Sequence, residues 1–161
     1  MIRKLCFVAL LFIFFEACNT TNIMPTTNST TTYALRLLPG QDVKLGIAQF
    51  VQLHNIKAGW IATCVGSLTQ YHIRFANQPT GTKQQGYFEI VSLTGTLADN
   101  GMHVHINVSD SAGHTIGGHL LDGNIVYTTA EIIIQSTEAY IFKREKDGST
   151  PWEELQIKQV K

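Results

Sequence analysis

The sequence carries no excess charge of either sign. Its 12 Lys and Arg balance 12 Asp and Glu, and charged residues make up only 15% of the chain. Without a basic field there is little to hold a polyanion by counterion release, so nucleic acid is not an expected partner. Cysteine is scarce as well. Of the three, Cys6 falls inside an apolar N-terminal run, Cys18 lies just after it, and Cys64 alone belongs to the domain proper, which leaves that domain no intrachain disulfide. Cys64 sits in the apolar stretch Trp60-Ile61-Ala62-Thr63-Cys64-Val65 and reads as a small buried hydrophobe, not a reactive thiol. Apolar runs are short too: Leu5 to Phe15 falls well below the roughly 20 residues that cross a bilayer comfortably. No internal repeat is visible, and 161 residues suit one domain with a closed hydrophobic core.

What is present begins with a signal-like segment over residues 1–18. Arg3 and Lys4 form a positive start, and Leu5 to Phe15 form the apolar centre of an export signal. Phe15-Glu16-Ala17-Cys18 resembles a bacterial lipobox in Ala17 and Cys18 and departs from it at Phe15 and Glu16. The expectation is an exported chain, periplasmic or in the cell envelope, held to the membrane through lipid if Cys18 is modified. Residues 19–32 are nearly all Thr, Asn and Ser, a composition that buries too little apolar surface to offset ordering, and they read as a linker. Residues 33–161 are read as the domain.

That domain opens with a strand from Tyr33 to Leu38, a Pro39-Gly40 turn and Asp42 as a helix N-cap. Val43, Ile47, Phe50, Val51 and His54 recur at helical spacing, and the stripe stops near Asn55, with His54 as a helix-end residue. Strand-like runs follow at residues 60–65, 71–75, 87–97, 102–108, 125–134 and 139–143. Between them lie a polar loop at 77–86, hairpin chemistry at Ala98-Asp99-Asn100-Gly101 and a reversal at Leu121-Asp122-Gly123-Asn124. One early helix followed by successive strands predicts an α+β fold with a largely antiparallel sheet.

The chemically pointed feature is histidine. In Gly101-Met102-His103-Val104-His105-Ile106-Asn107-Val108, strand alternation sends Met102, Val104, Ile106 and Val108 to the core and His103 with His105 to the other face. Two imidazoles at i and i+2 present two nitrogen ligands of tetrahedral zinc. A third can come from Gly117-Gly118-His119-Leu120, where two glycines permit close backbone approach; His114, in the intervening reversal, competes with it. Spacing alone leaves a metal site and three half-exposed strand histidines equally open. Three histidines with an open fourth position would be the catalytic kind of zinc site.

The same residues carry a family resemblance. Gly101-x-His103-x-His105 followed by Gly117-Gly118-His119-Leu120 resembles the core motif of the PPC (plants and prokaryotes conserved) domain. Further matches span nearly the whole domain. They are Arg36 with Gly40-x-Asp42, Val65-Gly66-Ser67-Leu68 with Arg74, Glu89-Ile90 through Gly95, Ala130-Glu131-Ile132-Ile133, and Phe142-x-Arg144-x-x-Asp147 with Glu154-Leu155.

The resemblance implies a homotrimeric α+β domain with a curved sheet similar to that of acetolactate decarboxylase, in which three histidines on neighbouring strands bind zinc. It implies His103, His105 and His119 as ligands here. Plant members follow a DNA-binding AT-hook, but this chain has no Arg-Gly-Arg-Pro hook, and Tyr87 stands where Gly86-Tyr87-Phe88-Glu89-Ile90-Val91 would need arginine to match the plant partner motif.

Three functions follow as expectations. The first is an exported, stand-alone trimer that binds a metal or a small ligand. The second is a zinc-dependent hydrolase or lyase, with Glu131 as proton shuttle and Arg74 as anion or oxyanion partner. The third, DNA binding, rests on the family label alone. His72 and Trp152 read as structural.

Overall fold

The computed structural model describes residues 29–160, so the signal segment, Cys18 and linker residues 19–28 lie outside the described residues. The chain runs β1 (Thr30–Leu37), α1 (Val43–Leu53), β2 (Gly59–Arg74), β3 (Thr82–Ala98), β4 (Gly101–Ser109), β5 (Thr115–Leu120), β6 (Ile125–Thr137), β7 (Tyr140–Glu145) and β8 (Glu154–Gln159). Strands β1 to β6 form one sheet in the order β1-β6-β2-β3-β4-β5, and β7 pairs with β8 as a separate hairpin. Every pairing is antiparallel. The expected α+β class with one helix is what the described residues adopt.

The helix forms where its sequence allows. The Asp42 side chain accepts the Leu45 N–H at 3.0 Å as the N-cap and also takes the Gly123 N–H, tying the helix start to the loop before β6. Val43, Ile47 and Val51 are buried from this stripe, joining a core of Leu68, Ile73, Leu97, Val104, Ile106, Val108, Leu120, Ile132 and Ile134 from the sheet. Phe50 and His54 pack at 4.2 Å between ring centroids, with Tyr33 beside both, which accounts for His54 as a helix-end residue.

Several boundaries move. The runs at 60–65 and 71–75 are one strand, β2, because Gly66, at φ +153°, carries the chain through a register shift instead of a turn. A side chain there would collide with the Thr129 carbonyl. The polar loop is shorter than expected: Thr82 to Gln85 pair with Gln70 to Ile73, and ladder hydrogen bonds come from backbone whatever the side chain. For the same reason β1 begins at Thr30, inside the segment read as linker, opposite Thr137. Strand β8 had no periodic signal; it is held by β7.

One closure matters for function. Strand β5 pairs with β4 along its length and also with the end of β2, through Ile73–Leu120 and Arg74–His119, so the sheet curls shut at that corner. The histidine strands lie there.

Candidate metal centre

On β4, Val104, Ile106 and Val108 are buried, while His103 is half-buried and His105 exposed, as strand alternation requires. Opposite them on β3 stand Thr96 and Thr94, and on β5 His119 is the register partner of His105. Adjacent antiparallel strands therefore bring the third imidazole to the first two. One ring nitrogen from each histidine lies within 4.8 Å of the others, and the ring centroids are 4.9, 5.1 and 5.8 Å apart.

The glycines before His119 are needed for that approach. A Cβ on Gly118 would stand 2.6 Å from the Arg74 carbonyl oxygen and 2.9 Å from Ile73 Cγ2, and one on Gly117 would collide with the Asn107 amide. His114 is elsewhere: its Nδ1 pairs with Asp110 Oδ2 at 3.2 Å in the exposed turn between β4 and β5.

The donor set fits a divalent cation. Tetrahedral zinc with Zn–N bonds near 2.05 Å separates its ligand nitrogens by about 3.3 Å. His103 Nε2 and His105 Nε2 are 3.2 Å apart. Nδ1 of His119 is buried and has no hydrogen-bond partner among the described residues, a costly state for a polar atom unless something else satisfies it. Two of the rings are also pushed toward the neutral form that a ligand must have. Burial, then His103, Arg74 and His105, hold the His119 pKa down to about 4. Burial, then His105 and Arg144, lower that of His103.

A pH dependence follows. In the unfolded chain His119 protonates near 6.5, but in the folded chain only near 4. Between those values the unfolded state binds more protons, so the metal-free domain loses stability as pH falls from about 6.5 to about 4, with no further loss from this group below that. His119→Asn should flatten this part of the profile in urea midpoints measured under chelator. A variant whose midpoint falls as steeply as the parent's across that window contradicts the assignment.

Around the cluster, the structure supplies residues that the motif did not single out as functional. Arg144 on β7 reaches back so that Nη2 is 3.4 Å from His103 Nδ1, and the same nitrogen donates to the Glu153 carbonyl at 2.6 Å and lies 4.0 Å from Glu154 Oε2. Asn100, in the β3–β4 turn, exchanges two 3.0 Å hydrogen bonds with the Arg144 backbone. Arg144 and Glu154 had been quoted only for the family pattern, and Asn100 only as turn chemistry. None of the three carries a periodic or spacing signal, because the hairpin bearing Arg144 and Glu154 reaches Asn100 and the cluster through tertiary packing alone.

The two catalytic candidates separate. Arg74 is beside the cluster, opposite His119. Glu131 is not: it is exposed on β6 opposite Arg36 and Val65, and its charge, after burial, helps push the Cys64 thiol up to about 12. Cys64 is thus an inert, buried thiol, as expected. His72 is structural, with Nδ1 2.6 Å from the Asp122 carbonyl oxygen. Trp152 is 60% exposed and lines the cavity beside His103 and His119.

Three imidazoles converging at the closed corner of an antiparallel sheet define a candidate metal-binding domain. The chain belongs to the Plants and Prokaryotes Conserved (PCC) domain family, whose model matches residues 24–138. A hypothetical protein from Salmonella has a solved structure that is 42% identical, with a TM-score of 0.80, over 83% of this chain and 97% of that one. A metal-containing protein from Archaeoglobus fulgidus shares the fold at a TM-score of 0.70 and 22% identity, over 84% of this chain and 99% of its own. A curated relative, the bifunctional protein GlmU of a Synechococcus strain, is 41% identical over 134 residues. That stretch is 83% of this chain but 22% of the relative, so the chain spans about a fifth of the length of the curated protein it matches.

Proposed function

We propose that this chain is a binding module that holds one divalent metal, zinc, on His103, His105 and His119. The observation that carries the reading is the convergence of three imidazole nitrogens within 4.8 Å, one of the rings having a buried nitrogen without a partner among the described residues. The metal-containing neighbour adds weight, although at 22% identity it speaks for the fold. When bound, zinc would supply Lewis acidity and a more acidic bound water. The histidines hold it.

The proposal includes three further elements: a sheet curved like that of acetolactate decarboxylase, assembly as a homotrimer, and export through the segment at residues 1–18, with Cys18 as lipid attachment point. The closed β2–β5 corner supports the first. The second is supported by an open sheet face on which Val65, Tyr87, Val91 and Tyr127 are exposed, the two tyrosine rings 4.7 Å apart. The third rests on the sequence pattern.

Elemental analysis of the purified chain tests the metal site, with about one zinc per chain expected and none retained by His103→Ala or His119→Ala. Zinc content equal in parent and variants would sink the reading. A second reading, a zinc-dependent hydrolase or lyase, is favoured by one observation: the open cavity places the Glu154 carboxylate, not Glu131, near the cluster. DNA binding finds no such support. A neighbour from Bacteroides thetaiotaomicron carries a provisional DNA-binding name, but that 20% identical likeness speaks for fold alone, and this chain's charge is balanced.

A further inference from the structure

Beside the histidines is a cavity of about 570 Å³, floored by the ends of β2, β4 and β5 and walled by the β7–β8 hairpin. That volume suits a small molecule. Its charged groups are Arg74, Arg144 and Lys146 against Glu153 and Glu154.

Two of these groups are already committed to each other. Arg144 is held by the Glu153 carbonyl and Glu154, and the other Glu154 oxygen accepts the Thr150 hydroxyl at 2.6 Å. Arg74 differs. Among the described residues it makes no ion pair. Instead, its guanidinium carbon sits 5.3 Å from the centre of the Trp152 ring. A cation over an indole face is held in place by the ring quadrupole while its N–H donors stay available, and those donors form a planar fork matched to two oxygens of an anion. A guanidinium oriented by an aromatic ring and left without an acceptor, in a cavity of ligand size, is a preorganised half of an ion pair.

We propose that this cavity binds a small ligand bearing an oxyanion, a carboxylate or a phosphate, and that Arg74 takes its charge with Trp152 as the residue that positions Arg74. Because Arg74 is the register partner of His119, the anion sits next to the histidine cluster, and the rest of the ligand meets Met102, Leu121 and Pro151. The ligand's second anchor rests on the metal reading above. The part played by Arg74 does not.

The test uses Trp152 as reporter. The chain has two tryptophans, and Trp60 lies outside the cavity, donating to Gln135 at 3.1 Å, so Trp60→Phe leaves one informative indole. In that background, acetate and methyl phosphate are titrated into zinc-loaded and chelator-treated protein while indole emission is followed. A saturable change with at least one anion is expected, weakened tenfold or more by Arg74→Gln and partly restored by Arg74→Lys, with zinc content and the urea transition unchanged. Trp152→Leu, followed by calorimetry, should weaken binding by a smaller factor. Response to acetate alone assigns a carboxylate ligand, and response to methyl phosphate alone a phosphate ligand.

No saturable response to either anion, or equal affinity in the parent and in a folded Arg74→Gln variant, overturns the proposal. The two readings fail separately. Arg74-dependent anion binding in protein that takes up no zinc would refute the metal site only; zinc uptake without anion binding would refute this inference only.

Discussion

Adding zinc to the chelator-treated chain, at about a hundred times its dissociation constant, is expected to raise the unfolding midpoint by about 8 °C. A ligand that binds only the folded state at that excess stabilises it by about 2.7 kcal/mol, and for a domain of this size each kcal/mol moves the midpoint by about 3 °C. The binding free energy becomes folding free energy because His103 and His105 are joined to His119 only across the β4–β5 pairing, which the unfolded chain lacks. His119→Ala should abolish the shift. His114→Ala should leave it intact, since that side chain is committed to Asp110 in the exposed turn. A His119→Ala variant that still gains the full shift would place the metal elsewhere.

The second large effect is expected from a residue that touches no metal. Gly118→Ala puts a methyl group 2.6 Å from the Arg74 carbonyl oxygen, a backbone atom with no side-chain freedom to retreat. Either β5 moves away from β2 or the Ile73–Leu120 and Arg74–His119 pairings are lost. Overpacking of this kind costs about 1–3 kcal/mol. Displacing His119 by a fraction of an ångström also spoils a tetrahedral ligand set, so zinc affinity should fall by about tenfold or more although all three histidines remain. Urea unfolding and a competitive zinc titration measure the two effects together. Unchanged zinc affinity in Gly118→Ala would mean that the closed corner does not position the ligand.

Much of the fold was legible because its signals are local. Asp42 caps the helix that its spacing predicts, the stripe Val43, Ile47 and Val51 is buried, and alternation along β4 separates Val104, Ile106 and Val108 from the histidines. Errors cluster where backbone hydrogen bonding outweighs side-chain pattern. Thr30 to Thr32 and Thr82 to Gln85 look like linker and loop, but each has a strand beside it to pair with. The runs at 60–65 and 71–75 join into one strand because Gly66 lets β6 approach while the ladder continues past it.

The site divides along the same line. His103 and His105 share a face by a rule of period two that needs no knowledge of the rest of the chain, and the Gly117-Gly118 pair signals that the strand carrying His119 must come close to something. Glu131 is offered as a proton shuttle by the sequence, yet its strand pairs with β1 and β2 and leaves it exposed opposite Arg36 and Val65, away from the histidines. Arg144, Glu154 and Trp152 come from a hairpin some 40 residues further on, whose position depends on Asn100 clasping the Arg144 backbone. No periodicity links those segments.

The sequence by itself determined the class of fold, the helix and its cap, the neutral charge balance and the pairing of two histidines on one strand face, since each follows from the covalent geometry of a short stretch. Only the tertiary structure decided that His119 joins them, that Glu131 does not, and that Arg74 stands over Trp152 with no acid paired to it among the described residues. Those facts depend on which distant strands exchange hydrogen bonds and how closely two backbones can approach, quantities that exist only once the sheet has closed.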